Sequence, residues 1–232
     1  MSIGVLYNTF VCFITGFFSL MVFSRLKEIR REKEKQYSEG LDYFALLLGL
    51  LWLFVGVRTF FVFLGRLDID NLIFAWISGP LTYLHLLPLF FYFGWSFFPE
   101  KGTIRKLFVS LFSCIALAAV VTLFLYGFSE GTITYAGTDQ TPNDLSNDIF
   151  TFGIFFPLFI FIISEFIRRF KKWRETKDAT QRQLWGFSLG LLVYSAIGIF
   201  DALGIIQGWL VLLVRIGIMV APLTFYLSAT WE

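Results

Sequence analysis

The chain has 232 residues, of which 57% are hydrophobic, 20% aromatic and only 16% charged, with a formal net charge of +2. Soluble domains are about 45–50% apolar and about 25% charged, so a water-facing surface cannot absorb this excess and a soluble globular fold is excluded. At about 20 residues per span, seven transmembrane helices would use most of the chain, leaving no room in this sequence for a soluble catalytic or output domain.

Seven apolar runs with charged or polar borders are predicted as helices: about 4–24, about 42–64, about 71–97, about 105–127, about 148–168, about 184–203 and about 208–230. The fold class read from them is all-α, a single polytopic seven-helix transmembrane domain. The first run lacks a preceding basic region and a following small-residue cleavage site, so it is expected to remain in the protein as an anchor. The charged stretch after it, RLKEIRREKEKQYSE, carries the attractive pair Arg30–Glu34 beside the repulsive pairs Glu28–Glu32 and Arg31–Lys35, and is expected to prolong the first helix. Pro80 and Pro88 each remove a backbone donor from the third run, and Pro157 and Pro222 do so in the fifth and seventh.

Charge between the runs sets the expected orientation. The segments 25–41, 100–106 and 168–182 hold 16 of the 19 Lys and Arg residues. They alternate with the 65–70 turn, which has one Arg and two Asp, with the acidic 128–147 segment, which has no Lys or Arg, and with the uncharged 204–207 turn. Positive segments stay in the cytoplasm, which places the N-terminus outside and the C-terminus inside. The basic segments are expected to touch anionic lipid. Within 128–147, Thr132–Tyr135 has the pattern of a short hairpin strand.

Ionisable groups within apolar spans are costly and need a partner or a water-filled cavity. Glu165 lies within one turn of Arg168 and Arg169 and is expected to pair with them locally. Arg58, Asp201 and Arg215 fall in one layer near the same end of three spans. Two readings fit them: a structural salt bridge between Asp201 and one Arg, or a pocket for an anionic or carbonyl-bearing ligand, which a guanidinium fork suits. His85, the only histidine, sits near mid-span with Tyr83 close by. It is read as a neutral hydrogen-bonded residue, with proton sensing as the alternative. One histidine does not make a metal or haem site. Cys12 and Cys114 lie in apolar runs and read as packing residues. No metal or cofactor is expected. Gly186 and Gly190 form a small-xxx-small pair that marks a close helix contact.

The stretch TKDATQRQ followed by LWGFSLGLLVYSAIGIFDALGI resembles the last two helices of the seven-helix N-terminal membrane sensor region of bacterial histidine kinases. Arg182, Gly186, Gly190, Asp201 and Gly204 stand at that family's basic linker, its helix glycines, its terminal Asp and its short outer turn. The resemblance covers about 60 residues and implies a sensor in a bacterial cell membrane. The family continues into a kinase or cyclase domain where this sequence stops at Trp231 and Glu232, so no catalytic residue is carried over.

Three functions are therefore open: a sensor or receptor-like module that binds an external ligand and signals through a protein partner, a non-catalytic subunit of a larger membrane complex, or a small-solute transporter. An enzyme is not expected, because no paired carboxylates, Ser/His arrangement or metal cluster falls in the spans. Nucleic acid is not an expected partner.

Overall fold

The computed structural model describes residues 3–33, 39–129, 132–202 and 210–230. Seven helices fill them: α1 (Ile3–Lys33), α2 (Glu39–Phe63), α3 (Leu67–Phe97), α4 (Gly102–Tyr126), α5 (Asp144–Thr176), α6 (Ala179–Ala202) and α7 (Leu210–Thr230). Over the described residues, α1 to α5 and α7 are long and apolar enough to cross a membrane. Helix α6, 24 residues long, packs along both α5 and α7.

Each helix lies against the next, and α1 closes the ring by packing on α7. The α1–α2 contact is the most extensive, because Gly16 and Gly49 face each other across it. A Cβ on either would stand 3.1 Å from the other's carbonyl oxygen, an approach that only glycine permits. Gly190 likewise lets α6 lie against Phe225 of α7, so one member of the small-residue pair marks a close helix contact.

The surface is inverted relative to a soluble protein. Phe10, Phe17, Trp76, Leu107, Leu125, Phe152, Ile160 and Ile167 are exposed, whereas Asn8, Asp42, Arg58, Asp70, His85 and Glu165 are buried. Burying polar groups while exposing large apolar ones is favourable only when hydrocarbon surrounds the bundle. The buried hydroxyls of Thr15, Ser19, Ser188, Ser195 and Ser228 bond back to the carbonyl four residues earlier.

Prolines shape two of the helices. Helix α3 widens into a π-turn at Phe74–Ser78, two residues before Pro80, and α5 does the same at Thr151–Phe155, two residues before Pro157. The proline ring collides with the carbonyl of a regular α-turn, and a wider turn relieves the clash. Pro88 coincides with a break in the α-helical run at His85 and Leu86. Helix α2 ends in a Schellman turn. Gly65, at φ +76°, donates to Val62 O at 3.0 Å, and Arg66 donates to Phe61 O at 2.8 Å. This tight stop lets α3 begin at Leu67, one turn earlier than the sequence indicates, so Asp70 lies within the helix and not in the preceding turn.

Helix α1 continues into the basic stretch as far as Lys33, and the expected pair Arg30–Glu34 lies outside the described residues. Helices α5 and α6 also run through the basic 168–182 segment and meet at a sharp corner, where Lys177 adopts φ +55°. At the opposite end of the bundle, Thr132–Ile133 pairs antiparallel with Thr138–Asp139, forming the hairpin β1–β2. The two ends are called here the basic end and the hairpin end.

Gly40, in the first turn of α2, lies against the backbone of α3 at Pro88 and Tyr92. A Cβ there would lie 2.6 Å from the backbone nitrogen of Tyr92 and run into the carbonyl of Pro88. Gly40→Ala is expected to push α2 off α3 at a cost of about 1–3 kcal/mol, read as a lowered thermal midpoint of the purified protein in detergent.

Candidate functional site

Arg58 is the centre of the hairpin end. Its side chain leaves α2 five residues before the end of that helix and is 9% exposed, while Asp70 on α3 is fully buried. Arg58 Nε donates to Asp70 Oδ1 at 2.9 Å, and Nη1 donates to Ser78 Oγ at 3.1 Å. The guanidinium also stands 4.6 Å from the centre of the Phe74 ring. The π-turn at Phe74–Ser78 places both Phe74 and Ser78 beside this one group.

The remaining partners come from the hairpin. Thr138 accepts from Arg58 Nη2 at 3.4 Å and donates to Asp70 Oδ2 at 2.8 Å. Gln140 bridges the pair. Its Oε1 accepts from Arg58, and its Nε2 donates to Asp70 Oδ2 at 2.8 Å and also to Asn71 Oδ1. The hairpin turn is held separately by α1, where Asn8 Nδ2 donates to Ala136 O at 2.6 Å. Beneath it Thr9 and Thr59 hydroxyls join α1 to α2 at 3.0 Å. Thr138 and Gln140 therefore supply two acceptors to Arg58 and two donors to Asp70, and the hairpin closes that end of the bundle.

Arg58 has a partner that the sequence reading did not single out. Among the described residues, the carboxylate that pairs with Arg58 is Asp70. Asp201 ends α6, and its side chain lies outside the described residues. Arg215 is on α7, half-buried, with its guanidinium 5.4 Å from the ring centre of Trp52 on α2. The Arg215 guanidinium thus turns toward α2, the helix that carries Arg58.

His85 sits at the break in α3, 3% exposed. Its Nδ1 is 2.8 Å from Thr82 O and its Nε2 is 3.0 Å from the Tyr194 hydroxyl on α6. A carbonyl only accepts, so Nδ1 carries the proton and Nε2 accepts from Tyr194. The bond to Tyr194 joins α3 to a neighbouring helix, as the neutral reading of His85 expects. Tyr194→Phe removes the donor and is expected to cost about 1–2 kcal/mol, measurable as a shift in unfolding midpoint. Tyr83 points elsewhere. Its hydroxyl is 2.9 Å from Ser146 Oγ, which in turn donates to Ala119 O at 2.8 Å, tying α3 and α5 to α4.

At the basic end Glu165 is fully buried and gathers donors from two helices. Its Oε1 accepts from Tyr92 Oη at 2.6 Å, Ser96 Oγ at 2.8 Å and Arg169 Nε at 2.6 Å, and its Oε2 accepts from Arg168 Nε at 3.1 Å. The local pairs with Arg168 and Arg169 are those expected from spacing. Tyr92 and Ser96 on α3, and Gln181 on α6, which accepts from Arg169 at 3.0 Å, were not legible from it.

One pattern joins these groups. Asp70, Ser78, His85, Tyr92 and Ser96 all lie on α3, and the first pair with α2 and the hairpin, the middle one with α6, the last two with α5. Helix α3 is thus the polar spine of the bundle, in contact with a different partner at each level. Among the described residues no group of three or more His, Cys, Asp or Glu side chains is placed to hold a metal ion.

No protein-family model, no curated protein and no solved structure matches this chain.

Proposed function

We propose that this protein is a membrane-embedded sensor module that receives a polar external ligand at the hairpin end and signals to a protein partner at the basic end. In this reading the N-terminus is outside and the C-terminus cytoplasmic, following the bias of basic segments, and the membrane is the inner membrane of a bacterium. One observation carries it: the buried Arg58–Asp70 pair is completed by Thr138 and Gln140 of an extramembrane hairpin. A carboxamide that accepts from the arginine and donates to the aspartate occupies the place of a ligand with the same two functions. A ligand bearing a carboxylate or carbonyl beside an N–H donor competes with it directly. Displacing the hairpin frees the end of α3, whose polar spine reaches Glu165 and the basic end.

Thr138→Val with Gln140→Ala imitates that displacement. Hydrogen exchange of the full-length protein in lipid nanodiscs is expected to rise in the hairpin and also in residues 86–97 of α3, at the far end of the bundle. Faster exchange confined to the hairpin would refute a signalling role and leave the hairpin a structural cap.

A further inference from the structure

The corner between α5 and α6 carries a second site, independent of the hairpin end. Along α5, Ile160 and Ile167 are both exposed, at 61% and 59%. Seven residues is two helical turns, so they share one lipid-facing stripe. Steps of four and seven residues from Ile167 continue that stripe to Lys171 and Arg174, which are also exposed. A hydrocarbon-facing surface thus passes directly into a cationic one on the same face of one helix.

Aromatic rings floor the cationic part. Trp173 of α5 stacks on Trp185 of α6 with ring centres 5.3 Å apart, and Phe170 and Phe166 lie 5.7 Å and 6.0 Å from Trp185. Arg174 stands 5.9 Å from the Phe170 ring centre, and Lys177 stands 5.5 Å from that of Trp173. The stack fixes the corner, and Lys177 at the left-handed position puts its ammonium on the rim. Nearby carboxylates do not cancel this charge. Glu165 is used by Arg168 and Arg169, Asp178 accepts from the backbone of Gln181 at the start of α6, and Glu175 is the remaining acid. Lys171, Arg174 and Lys177 enter no ion pair among the described residues.

We propose that an anionic phospholipid binds here, its acyl chain along Ile160 and Ile167 and its headgroup phosphate held by Lys171, Arg174 and Lys177 over the aromatic floor. Tryptophan and cations gather at the level where hydrocarbon gives way to headgroups, and the exposed isoleucines immediately preceding them place the phosphate within reach. An acidic soluble protein would have no use for the isoleucine stripe.

The test uses the full-length protein in detergent micelles, loaded with equal amounts of phosphatidylglycerol and phosphatidylcholine and read by native mass spectrometry. The wild type is expected to retain phosphatidylglycerol in preference. Lys171→Gln, Arg174→Gln and Lys177→Gln together are expected to reduce that preference by about fivefold for each cation removed, with an unchanged thermal midpoint. Lys101→Gln with Lys106→Gln, at a different basic segment, is expected to leave it intact. Equal retention of the two lipids by the wild type, a preference that survives the triple substitution, or equal loss in the control would each overturn the proposal.

Discussion

Asp70→Leu is expected to lower the unfolding free energy by about 3–5 kcal/mol, because it strands a buried guanidinium. The direction of the asymmetry is the informative part. Arg58→Met leaves a carboxyl group, which can take up a proton and become neutral, whereas an arginine side chain keeps its charge in any surroundings. Asp70→Leu should therefore cost more than Arg58→Met. The double substitution should recover much of the loss, since replacing a buried pair by apolar groups is often close to neutral. Reversible unfolding of the four proteins in mixed micelles gives the complete cycle. If each single substitution costs under about 0.5 kcal/mol and the two add, the pair is not the buried, coupled one described here. Thr138 and Gln140 lose partners in every variant, so the recovered stability should come without recovery of the hairpin's protection from hydrogen exchange.

Glu165→Leu is expected to have the second largest effect, about 3 kcal/mol. The carboxylate accepts from Tyr92, Ser96, Arg168 and Arg169, and only one of those donors has an easy alternative. The Arg168 side chain is 42% exposed and can turn to water, whereas that of Arg169 is 11% exposed and stays inside. Glu165→Gln keeps an acceptor oxygen for Tyr92 and Ser96 and should cost clearly less than Glu165→Leu. Arg168→Gln should cost less than about 1 kcal/mol, as expected for a mostly solvated partner. The order Leu, then Gln, then Arg168→Gln in thermal midpoints of the purified protein tests the arrangement; a Glu165→Leu protein as stable as Arg168→Gln would contradict it.

The apolar runs made the helices legible, because each must satisfy its backbone within itself in hydrocarbon. Their ends were less so. The extension of α1 was read from charge spacing, whereas α5 and α6 continue into the basic 168–182 segment because a helix emerging from a membrane needs no apolar residues, only pairs and caps, and hydropathy cannot see those. The local pairs of Glu165 followed from spacing. Asp70 did not. It falls two residues after Asp68, in a segment that reads as a turn, and only the Schellman turn at Gly65 draws it into α3. The signal was present in outline: a glycine closing one helix, followed by acidic residues suited to the first turn of the next. Gln140 and Thr138 were hidden for a different reason. Their role depends on how a polar loop folds back over the bundle, which neither periodicity nor charge fixes. The same holds for Tyr92 and Tyr194, whose ring bodies fit an apolar helix face while their hydroxyls seek partners on helices far away in sequence.

Docking of the hairpin on the Arg58–Asp70 end is the claim on which the rest depends, and a disulfide between its turn and α1 tests it most directly. In a chain with Cys12 and Cys114 replaced by alanine, Asn8→Cys and Ala136→Cys put one thiol on each of the two residues that the bond from Asn8 Nδ2 to the Ala136 carbonyl joins. Mild oxidation in native membranes should join residues 8 and 136 within one molecule, detected as a linked peptide by mass spectrometry. Absence of that peptide, with both thiols still open to a water-soluble maleimide, would show that the hairpin stands away from the bundle.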